Sequence, residues 1–341
     1  MSVAISSAGG TGAAAIEKAY VNMFKDGFSQ AFQQFDTVFA PYFQMERQDS
    51  EFAYYDRIGH AEDMTEDNVR YADNPVSEIP HDRRRSQLKD YHLGKYIEPK
   101  DMYRILSDPT NEYQVALRAS GNRKIDDIVR DNIFGTAYAG KKGEQAVTFV
   151  PTSRANISVG EISSGHSNPI TTTGKYVLSA GDVEGFDIGD QYRITGTGSA
   201  TGLTLDKLKA VRYLMLRLDA IAQNEVINVW IGSHQFQDLL GIDEVINSDY
   251  SVRKSLAEGS VTTFMGFRFM HNERLNVNSD GSRECIVATP RSLKVCVAKN
   301  LEIDTWRDTG KRNIPYIYMK LSMDAVRMWG EITGRLNCYE G

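Results

Sequence analysis

The stretch Asp108-Pro109-Thr110-Asn111, continued by EYQVALRASGNRKIDDIVRDNIFG up to Gly135, decides how the rest of the chain is organised. A proline followed by capping residues is typical of a helix start, and an apolar stripe at helical spacing follows it. That stripe comprises Tyr113, Leu117, Ile125, Ile128, Val129 and Ile133. Gly121 weakens the pattern without ending it, and Gly135 and Gly140 mark its end. We predict a helix over 111–139, whose roughly 25 helical residues would form a rod about 38 Å long.

Downstream of this helix the sequence alternates strands with two further helices. A second amphipathic helix is predicted over 204–222, with Thr204 as its N-cap. A buried strand at 226–231 leads into a short helix at 233–240, and further short strands are predicted at 147–150, 176–178 and 192–194. Residues 262–341 are mostly strand, and the clearest period-two pattern places on one face Ile317, Met319, Leu321, Met323 and Ala325. This order of elements predicts an α+β fold.

The sequence upstream of the helix looks unlike a compact core. Residues 46–105 are strongly polar, and a stretch of that length is uncommon inside a compact domain, so we predict an extended hairpin or loop. Residues 1–45 begin with small residues and continue as a stripe at helical spacing: Ile16, Tyr20, Phe24, Phe28, Phe32, Phe35 and Phe39. This stripe predicts a helix that packs in the chain's own core or on a neighbouring subunit, and the sequence leaves both open.

The bulk composition excludes several classes of protein. The 341 residues suggest about two domains or one elaborated domain. The 39 Lys+Arg against 45 Asp+Glu give a formal net charge of -6. The chain therefore lacks the basic excess that is typical of nucleic-acid-binding proteins. No basic segment precedes an apolar one at the N-terminus, and no apolar run is long enough to span a membrane. Cys285, Cys296 and Cys338 have no metal-type spacing, so we expect reduced thiols.

Two glycine-containing stretches resemble ligand-binding loops. The segment from Gly196 to Gly202 lies between a strand and a helix, but its spacing is G-x-G-x-x-x-G, which favours a flexible turn over a dinucleotide loop. The segment from Asn276 to Gly281 resembles the start of a calcium loop, but position twelve is Val287, so a hairpin turn is favoured. The six histidines form no zinc or triad motif. We therefore predict no catalytic, cofactor-binding or metal-binding residues.

The strongest local charge run is Arg83-Arg84-Arg85, inside the polar stretch. It is either a solvated face or a set of ion pairs across a subunit boundary, since the arginine fork suits carboxylates. Acidic residues of the same stretch, Glu62-Asp63 and Glu66-Asp67, would be complementary to it on a neighbouring subunit. DNA binding by this run is the weaker alternative, given the net charge. The candidate subunit-contact residues are Arg83, Arg84, Arg85, Glu62, Asp63, Phe24 and Phe28.

Five stretches together are similar to the major capsid proteins of short-tailed podophages: Arg118 to Asp127 with Gly135-Thr136-Ala137, Gly202 to Leu208, Ile231 to Phe236, Met265 to Phe269 with Asn272 to Leu275, and Arg327 to Ile332. The order of elements resembles the Hong Kong 97-like capsid fold of tailed double-stranded DNA bacteriophages. The resemblance covers most of the chain, and residues 155–202 match least. It implies an N-terminal arm at 1–45, an extended loop at 46–105, a peripheral domain with the spine helix at 106–150, an axial domain at 151–285, and return strands of both domains at 286–341.

The resemblance also implies a function. It implies a structural protein without enzymatic activity, whose hexamers and pentamers tile an icosahedral shell around phage DNA. The implied partners are other copies of the chain, packaged DNA bound non-specifically on the inner face, a portal and, in some shells, a decoration protein, but no membrane. The protein would be assembled in the host bacterial cytoplasm and reside in the virion. Because the arm and loop occupy everything before the spine, we expect a separate scaffolding protein. Two alternatives stay open: another virion protein such as a tail-tube or minor shell protein, and a nucleotide-binding enzyme built on the Gly196 segment.

Overall fold

A computed structural model describes residues 34–59, 64, 66, 76, 78–97, 110–149, 183–193, 196–197, 199–217, 225–242 and 263–341. The helices within these residues are α1 (Thr110–Phe134), α2 (Leu205–Arg217) and α3 (Ser233–Leu240). The strands are β1 (Gln44–Arg47), β2 (Phe52–Ile58), β3 (His81–Gln87), β4 (Lys89–Tyr96), β5 (Ala137–Ala139), β6 (Gln145–Phe149), β7 (Val183–Glu184), β8 (Phe186–Ile188), β9 (Tyr192–Arg193), β10 (Gly196–Thr197), β11 (Ile227–Ile231), β12 (Thr263–Phe264), β13 (Phe267–His271), β14 (Ser282–Ala288), β15 (Leu293–Asp308), β16 (Ile314–Arg327) and β17 (Thr333–Tyr339). Helices and strands are mixed along the chain, which confirms the predicted α+β class.

The main hydrophobic core is built on a six-stranded sheet of order β12-β13-β11-β14-β17-β8. Every residue of β11 is buried, as expected for an apolar strand that is covered on both faces. Leu208, Val211 and Met215 of α2 and Leu239 of α3 belong to the same core. The two edge strands, β12 and β8, contain only two and three residues. Such short edges limit unwanted pairing with another sheet.

A four-stranded sheet of order β1-β15-β16-β4 lies against α1. The predicted alternation in β16 is confirmed, because Ile317, Met319, Leu321 and Met323 are buried while the residues between them are partly exposed. From Asp324 to Arg327 every residue is buried, since β3 packs against this end of β16. The pairing of β15 with β16 shifts register between Val297 and Lys299 and again between Lys299 and Glu302. These bulges distort the sheet beneath the middle of α1.

Helix α1 has the predicted start and the predicted length and passes through Gly121, but it ends before residue 139. It contains 25 residues, and the side chain of Leu301 occupies the space that a Cβ of Gly121 would need. The prediction that the helix continues to residue 139 is wrong, because Ala137–Ala139 forms β5. The helix ends at Phe134, just before Gly135, because its last carbonyls accept hydrogen bonds from a buried side chain rather than from a further helical turn.

A third sheet, of order β2-β3-β5-β6-β7, contains the hairpin of the predicted extended loop. Only β2 and β3 form that hairpin. Strand β4, which the prediction placed in the same loop, pairs antiparallel with β16 in the four-stranded sheet. The polar stretch at 46–105 is therefore divided between a hairpin and an edge strand of the body. Its polarity reflects the exposure of both, since nearly every β4 residue is exposed.

The N-terminal aromatic stripe does not continue as an α-helix where the structure describes it. Phe35 and Phe39 lie outside any helix, and only a short 3-10 turn at Ala40–Tyr42 follows them, so that part of the prediction is wrong. Phe39 is buried, with its ring centroid 5.2 Å from that of Trp230. Its backbone N–H is donated to the carboxylate of Asp126 at 3.1 Å, which replaces a helical hydrogen bond. The earlier part of the stripe lies outside the described residues.

Candidate subunit-contact site

Strands β2 and β3 form a long antiparallel hairpin. Seven residue pairs join them, from Phe52 with Gln87 to Ile58 with His81, and the N–H of Gly59 extends the ladder to the Pro80 carbonyl at 2.8 Å. Seven residues at about 3.3 Å each give a ribbon about 23 Å long. Strand β3 is covered by β5 on its other edge, while β2 pairs with no other strand in the described part of the chain. Among the residues that the structure describes, the hairpin is therefore a ribbon with one unpaired edge.

A buried arginine ties the loop end of the β2–β3 ladder to the connection between β16 and β17. The Arg57 side chain is 2% exposed. Its Nε donates to Asp82 Oδ2 at 2.8 Å and its Nη1 to the Met328 carbonyl at 2.9 Å. Burial alone would raise the pKa of Asp82, but the guanidinium charges of Arg57 and Arg84 and the hydrogen bonds outweigh it and lower that pKa. Asp82 is therefore ionised at neutral pH, and removal of either partner would leave a poorly compensated charge, at a cost of about 3–5 kcal/mol.

A second anchor joins the hairpin to β15 and β16. The buried carboxylate of Asp324 accepts hydrogen bonds from the Ser86 hydroxyl at 3.0 Å and from the Gln87 backbone N–H at 2.9 Å. Beside it, the Cys296 thiol donates to the Tyr55 hydroxyl at 3.2 Å. Burial raises the pKa of Asp324, although its hydrogen bonds partly oppose that shift. Both strands of the hairpin are thus tied to the body, which sets the direction of the ribbon.

The three arginines of the predicted contact run have different environments, because successive strand residues face opposite sides of a sheet. Arg84 is fully buried within its own subunit, 3.7 Å from Asp82. It has no exposed surface for a neighbour to touch. Arg83 is 39% exposed and donates from Nε to Asp56 Oδ1 at 2.5 Å. Arg85 packs over two aromatic rings of its own chain. Among the three, Arg83 presents the most accessible charge.

The hairpin exposes apolar side chains that its own subunit does not cover. Ile58 is 58% exposed and Val76 is 90% exposed. The complete set of large apolar residues exposed on the hairpin is, among those described, Phe52, Tyr54, Ile58, Met64, Val76 and Ile79. Apolar side chains concentrated in one exposed segment indicate a surface for another protein. The remaining predicted contact residues, Glu62, Asp63, Phe24 and Phe28, lie outside the described residues, and their contacts stay predictions.

Arg327 holds the C-terminus of α1 in place. Its side chain is almost completely buried. Its Nη1 donates to the carbonyls of Ile133 at 2.9 Å and Gly135 at 2.6 Å. Its Nη2 donates to the Val147 carbonyl in β6 at 3.1 Å. One guanidinium therefore joins β16, the end of α1 and the sheet of the hairpin, and its positive charge suits the negative end of the helix dipole.

A charged contact on the other side of α1 joins it to the segment after β13. Arg130 donates from Nη1 to the Arg274 carbonyl at 2.6 Å. In return, Arg274 Nη2 lies 2.7 Å from Asp127 Oδ2. The two arginines and the aspartate form a closed set of contacts between α1 and the core of the six-stranded sheet. Together with the Arg327 contacts, they fix the long helix relative to all three large sheets.

Sequence reasoning missed an aromatic cluster on the face of the four-stranded sheet that lies away from α1. Register places Tyr316 opposite Tyr96 on one side and Trp306 on the other. The ring centroid of Tyr316 lies 4.3 Å from that of Tyr96 and 5.1 Å from that of Trp306. Trp306 is 45% exposed. The alternation in β16 indicated the face of Tyr316, but the pairing that completes the cluster cannot be read from one strand. This cluster is a second exposed apolar surface.

The glycine segment between β9 and α2 does not have the geometry of a nucleotide loop. Strands β9 and β10 form a two-stranded hairpin. The backbone N–H of Leu203 donates to Asp238 Oδ2 at 2.7 Å. A carboxylate thus occupies the helix N-terminus at which a phosphate would bind. The calcium-like segment is a turn, as expected: Gly281 has a φ of 80°, and Asp280 accepts the Ser282 N–H at 3.1 Å.

The structure brings together Ser233, His271 and Glu273, which the sequence separates and sequence reasoning missed. Ser233 Oγ lies 3.0 Å from His271 Nε2 and 2.8 Å from Glu273 Oε2. Glu273 approaches the same ring nitrogen at 3.5 Å, whereas a catalytic relay needs the acid on the opposite nitrogen. Glu273 also accepts the Ser233 backbone N–H at 2.9 Å, so it caps α3. The described residues contain no metal-ligating cluster, and no described helix is long and apolar enough to cross a membrane.

Comparison with known proteins gives a consistent result. A family model described as phage capsid protein matches residues 16–340. No curated protein matches the chain. The fold is similar to the capsid structure of cyanophage P-SCSP1u, with a TM-score of 0.66, 12% identity, and coverage of 96% of this chain and 95% of that chain. It is similar to the capsid of cyanophage Pam1 (TM-score 0.62, 13% identity, 95% and 98% coverage). It is also similar to the mature capsid of bacteriophage PhiM1 (TM-score 0.61, 12% identity, 93% and 91% coverage).

Proposed function

This chain belongs to the phage capsid protein family, and we propose that its copies form the hexamers and pentamers of an icosahedral shell around double-stranded phage DNA. The protein is a structural component of the capsid, and its fold is the Hong Kong 97-like fold of phage shells. Its location is accordingly the virion. We propose in addition that the rings are hexamers and pentamers, that the shell contains double-stranded DNA, and that it assembles in the host bacterial cytoplasm.

The observation that supports the proposal best is the contrast within the β2–β3 hairpin. Its strands are held to the body by buried ionic contacts through Arg57 and Asp82, while Ile58, Val76 and Ile79 beside these contacts remain exposed. An isolated subunit gains nothing from a rigid ribbon with an apolar surface. If a neighbouring subunit covered those three side chains, burial would contribute about 3–6 kcal/mol per contact, because burying one fully exposed side chain contributes about 1.5–3 kcal/mol and two of the three are already about half buried.

Charge supports the same arrangement. Arg83 is partly exposed beside Asp56, and the sequence between the two hairpin strands contains Glu62 and Asp63. We assign these groups to the polar rim of the contact, where charges set register and orientation more than affinity. The arm residues Phe24 and Phe28 are assigned to the apolar part of the boundary between subunits.

The shell needs partners that control its size. A head-to-tail contact repeated between copies closes into a ring or continues as an open filament, depending on its angle. We propose a separate scaffolding protein that selects closure, a portal at one vertex and, in some shells, a decoration protein. Packaged DNA contacts the inner face non-specifically, which is consistent with a net charge of -6.

The test is electron microscopy of the purified chain, alone and with its scaffolding protein. In the test variant, Ile58 and Ile79 are both changed to serine. The control is Leu216→Ser in α2, because Leu216 is 53% exposed, close to the exposure of the two isoleucines. Exposed substitutions change unfolding by less than about 0.5 kcal/mol, so both variants stay folded. We expect shells from the wild type and from Leu216→Ser but not from the double variant. Shells of normal yield from the double variant would contradict the proposed contact.

A further inference from the structure

The sheet that contains the hairpin has one buried face and one exposed face. In β2, Tyr55 is buried, whereas Tyr54 and Ile58 are exposed, because successive strand residues face opposite sides. Register places Arg85 of β3 opposite Tyr54 on one side and opposite Tyr138 of β5 on the other. Arg85 therefore lies on the exposed face that also presents Ile58.

The guanidinium of Arg85 is held between two aromatic rings. Its Cζ atom lies 5.4 Å from the ring centroid of Phe52 and 4.8 Å from that of Tyr138. The stem of the side chain runs over Gly143, where an added Cβ would lie 2.6 Å from the Arg85 Cβ. Gly143 has a φ of 65°, a backbone conformation that favours glycine. The two rings and the turn thus fix the direction of the guanidinium before any ligand binds.

The donors of Arg85 have no acceptor within the described part of the chain. Its Nε is enclosed without a hydrogen-bond partner, while its terminal nitrogens reach the surface of a partly exposed residue. By contrast, Arg83 on the same face is paired with Asp56. Polar atoms that a protein encloses usually have a partner. The two terminal N–H groups of a fixed guanidinium match the two oxygens of a carboxylate, so the site lacks a ligand of that shape.

We propose that Arg85 binds a carboxylate of a neighbouring copy of this chain. The inference rests on the proposed function, because it requires two copies side by side. The exposed face continues to Ile58, which belongs to the proposed subunit contact, and each copy has 45 Asp+Glu against 39 Lys+Arg. Arginine and tyrosine are enriched among the residues that dominate binding between proteins, and this face presents Arg85 beside Tyr54 and Tyr138.

The test makes position 85 a crosslinking probe in the full chain. The amine introduced by Arg85→Lys forms an amide with a contacting carboxylate that a water-soluble carbodiimide has activated; the carbodiimide takes up the elements of water and leaves as a urea. The variant is co-assembled as a minor fraction with isotope-labelled wild-type chain and scaffolding protein, in shells without DNA, so that assembly does not depend on the variant. The matched control is Gln87→Lys, which introduces an amine on the same face of β3.

We expect mass spectrometry to find amides that join position 85 of the variant to an aspartate or glutamate of an isotope-labelled copy, at a higher yield than from Gln87→Lys. Three results would overturn the proposal: amides only within the variant chain, amides only to the scaffolding protein, or a yield no higher than that of the control. The last result is also expected if the natural ligand is a phosphate of DNA. Closed shells with any of these results overturn this inference alone, whereas wild-type chain that forms no shells contradicts the proposed function as well.

A second measurement uses Arg85→Gln, which keeps a polar side chain but removes the charged fork. The concentration of chain at which shells form should rise by at least about tenfold, because a hydrogen bond to a charged group contributes that much or more. The control is Arg47→Gln, since the Arg47 side chain is 80% exposed beside Asp49, and its threshold should equal that of the wild type. Equal thresholds for the two variants would contradict the proposal.

Discussion

Replacing Arg327 with methionine should lower the free energy of unfolding by about 3 kcal/mol. Methionine has a similar reach but donates no hydrogen bond, so the carbonyls of Ile133, Gly135 and Val147 lose their donors. A buried group left without a partner costs about 1–3 kcal/mol, which gives about 3–9 kcal/mol for three. Loss of the charge at the end of α1 adds about 0.3–1 kcal/mol. The desolvation of a guanidinium, several kcal/mol, is recovered by the substitution, so the net loss falls at the low end of the range.

The assay is urea unfolding of the unassembled chain, followed by far-ultraviolet circular dichroism. With a slope of about 3 kcal/mol per molar urea, the midpoint should fall by about 1 M. The matched control is Arg47→Met, since the Arg47 side chain is 80% exposed beside Asp49 and such a pair contributes less than about 1 kcal/mol. Arg327→Lys keeps the positive charge but not the guanidinium fork, so its urea midpoint should fall between those of Arg327→Met and Arg47→Met. A midpoint for Arg327→Met equal to that of Arg47→Met would refute the role of this contact.

Three further predictions use the same unfolding measurement. Gly121→Ala gains about 1 kcal/mol of helix propensity but overlaps Leu301 at a cost of about 1–3 kcal/mol. We therefore expect a net loss of about 1 kcal/mol that Leu301→Ala relieves in the double variant; additive losses would contradict it. Burial raises the pKa of Asp324. Its contribution to the free energy of unfolding is therefore present at low pH and is lost as pH rises through the folded-state pKa. Asp324→Asn should remove that component of the pH dependence of the free energy of unfolding above the ordinary carboxyl pKa of about 4, and an unchanged pH dependence would count against the assignment. Asp126→Ala leaves the N–H groups of Phe39 and its neighbour without their acceptor and should cost about 2 kcal/mol, with faster proteolysis near residue 34; unchanged cleavage would argue against this anchor.

The sequence was most informative where one element is specified by its own local pattern. The start of α1 follows from Pro109 and the capping residues after it, and the period-two pattern of β16 follows from Ile317 to Met323. Helix α3 was predicted with its observed bounds at 233–240. These features depend on neighbours along the chain, so a single sequence contains the necessary information.

The sequence was least informative where a side chain is explained by a distant partner. The role of Arg327 could not be predicted, because its carbonyl partners on α1 and β6 are remote in sequence. The arginine run at 83–85 looked uniform, but strand alternation buries Arg84 and exposes Arg83. The end of α1 was placed too late, since the polar contacts that stop it come from β16. Tertiary contacts of this kind fix the hairpin to the body, and they are the part of the candidate site that the sequence could not predict.

The most direct test of the central claim is a cryo-electron microscopy map of the assembled shell at a resolution that shows side chains. The claim is that a neighbouring subunit covers the exposed apolar residues of the β2–β3 hairpin, which Asp324 and Arg57 fix to the body at its two ends. The predicted result is that Ile58 and Ile79 lie within about 4.5 Å of apolar atoms of an adjacent copy. A map in which both side chains face solvent, or contact only their own subunit, would contradict it.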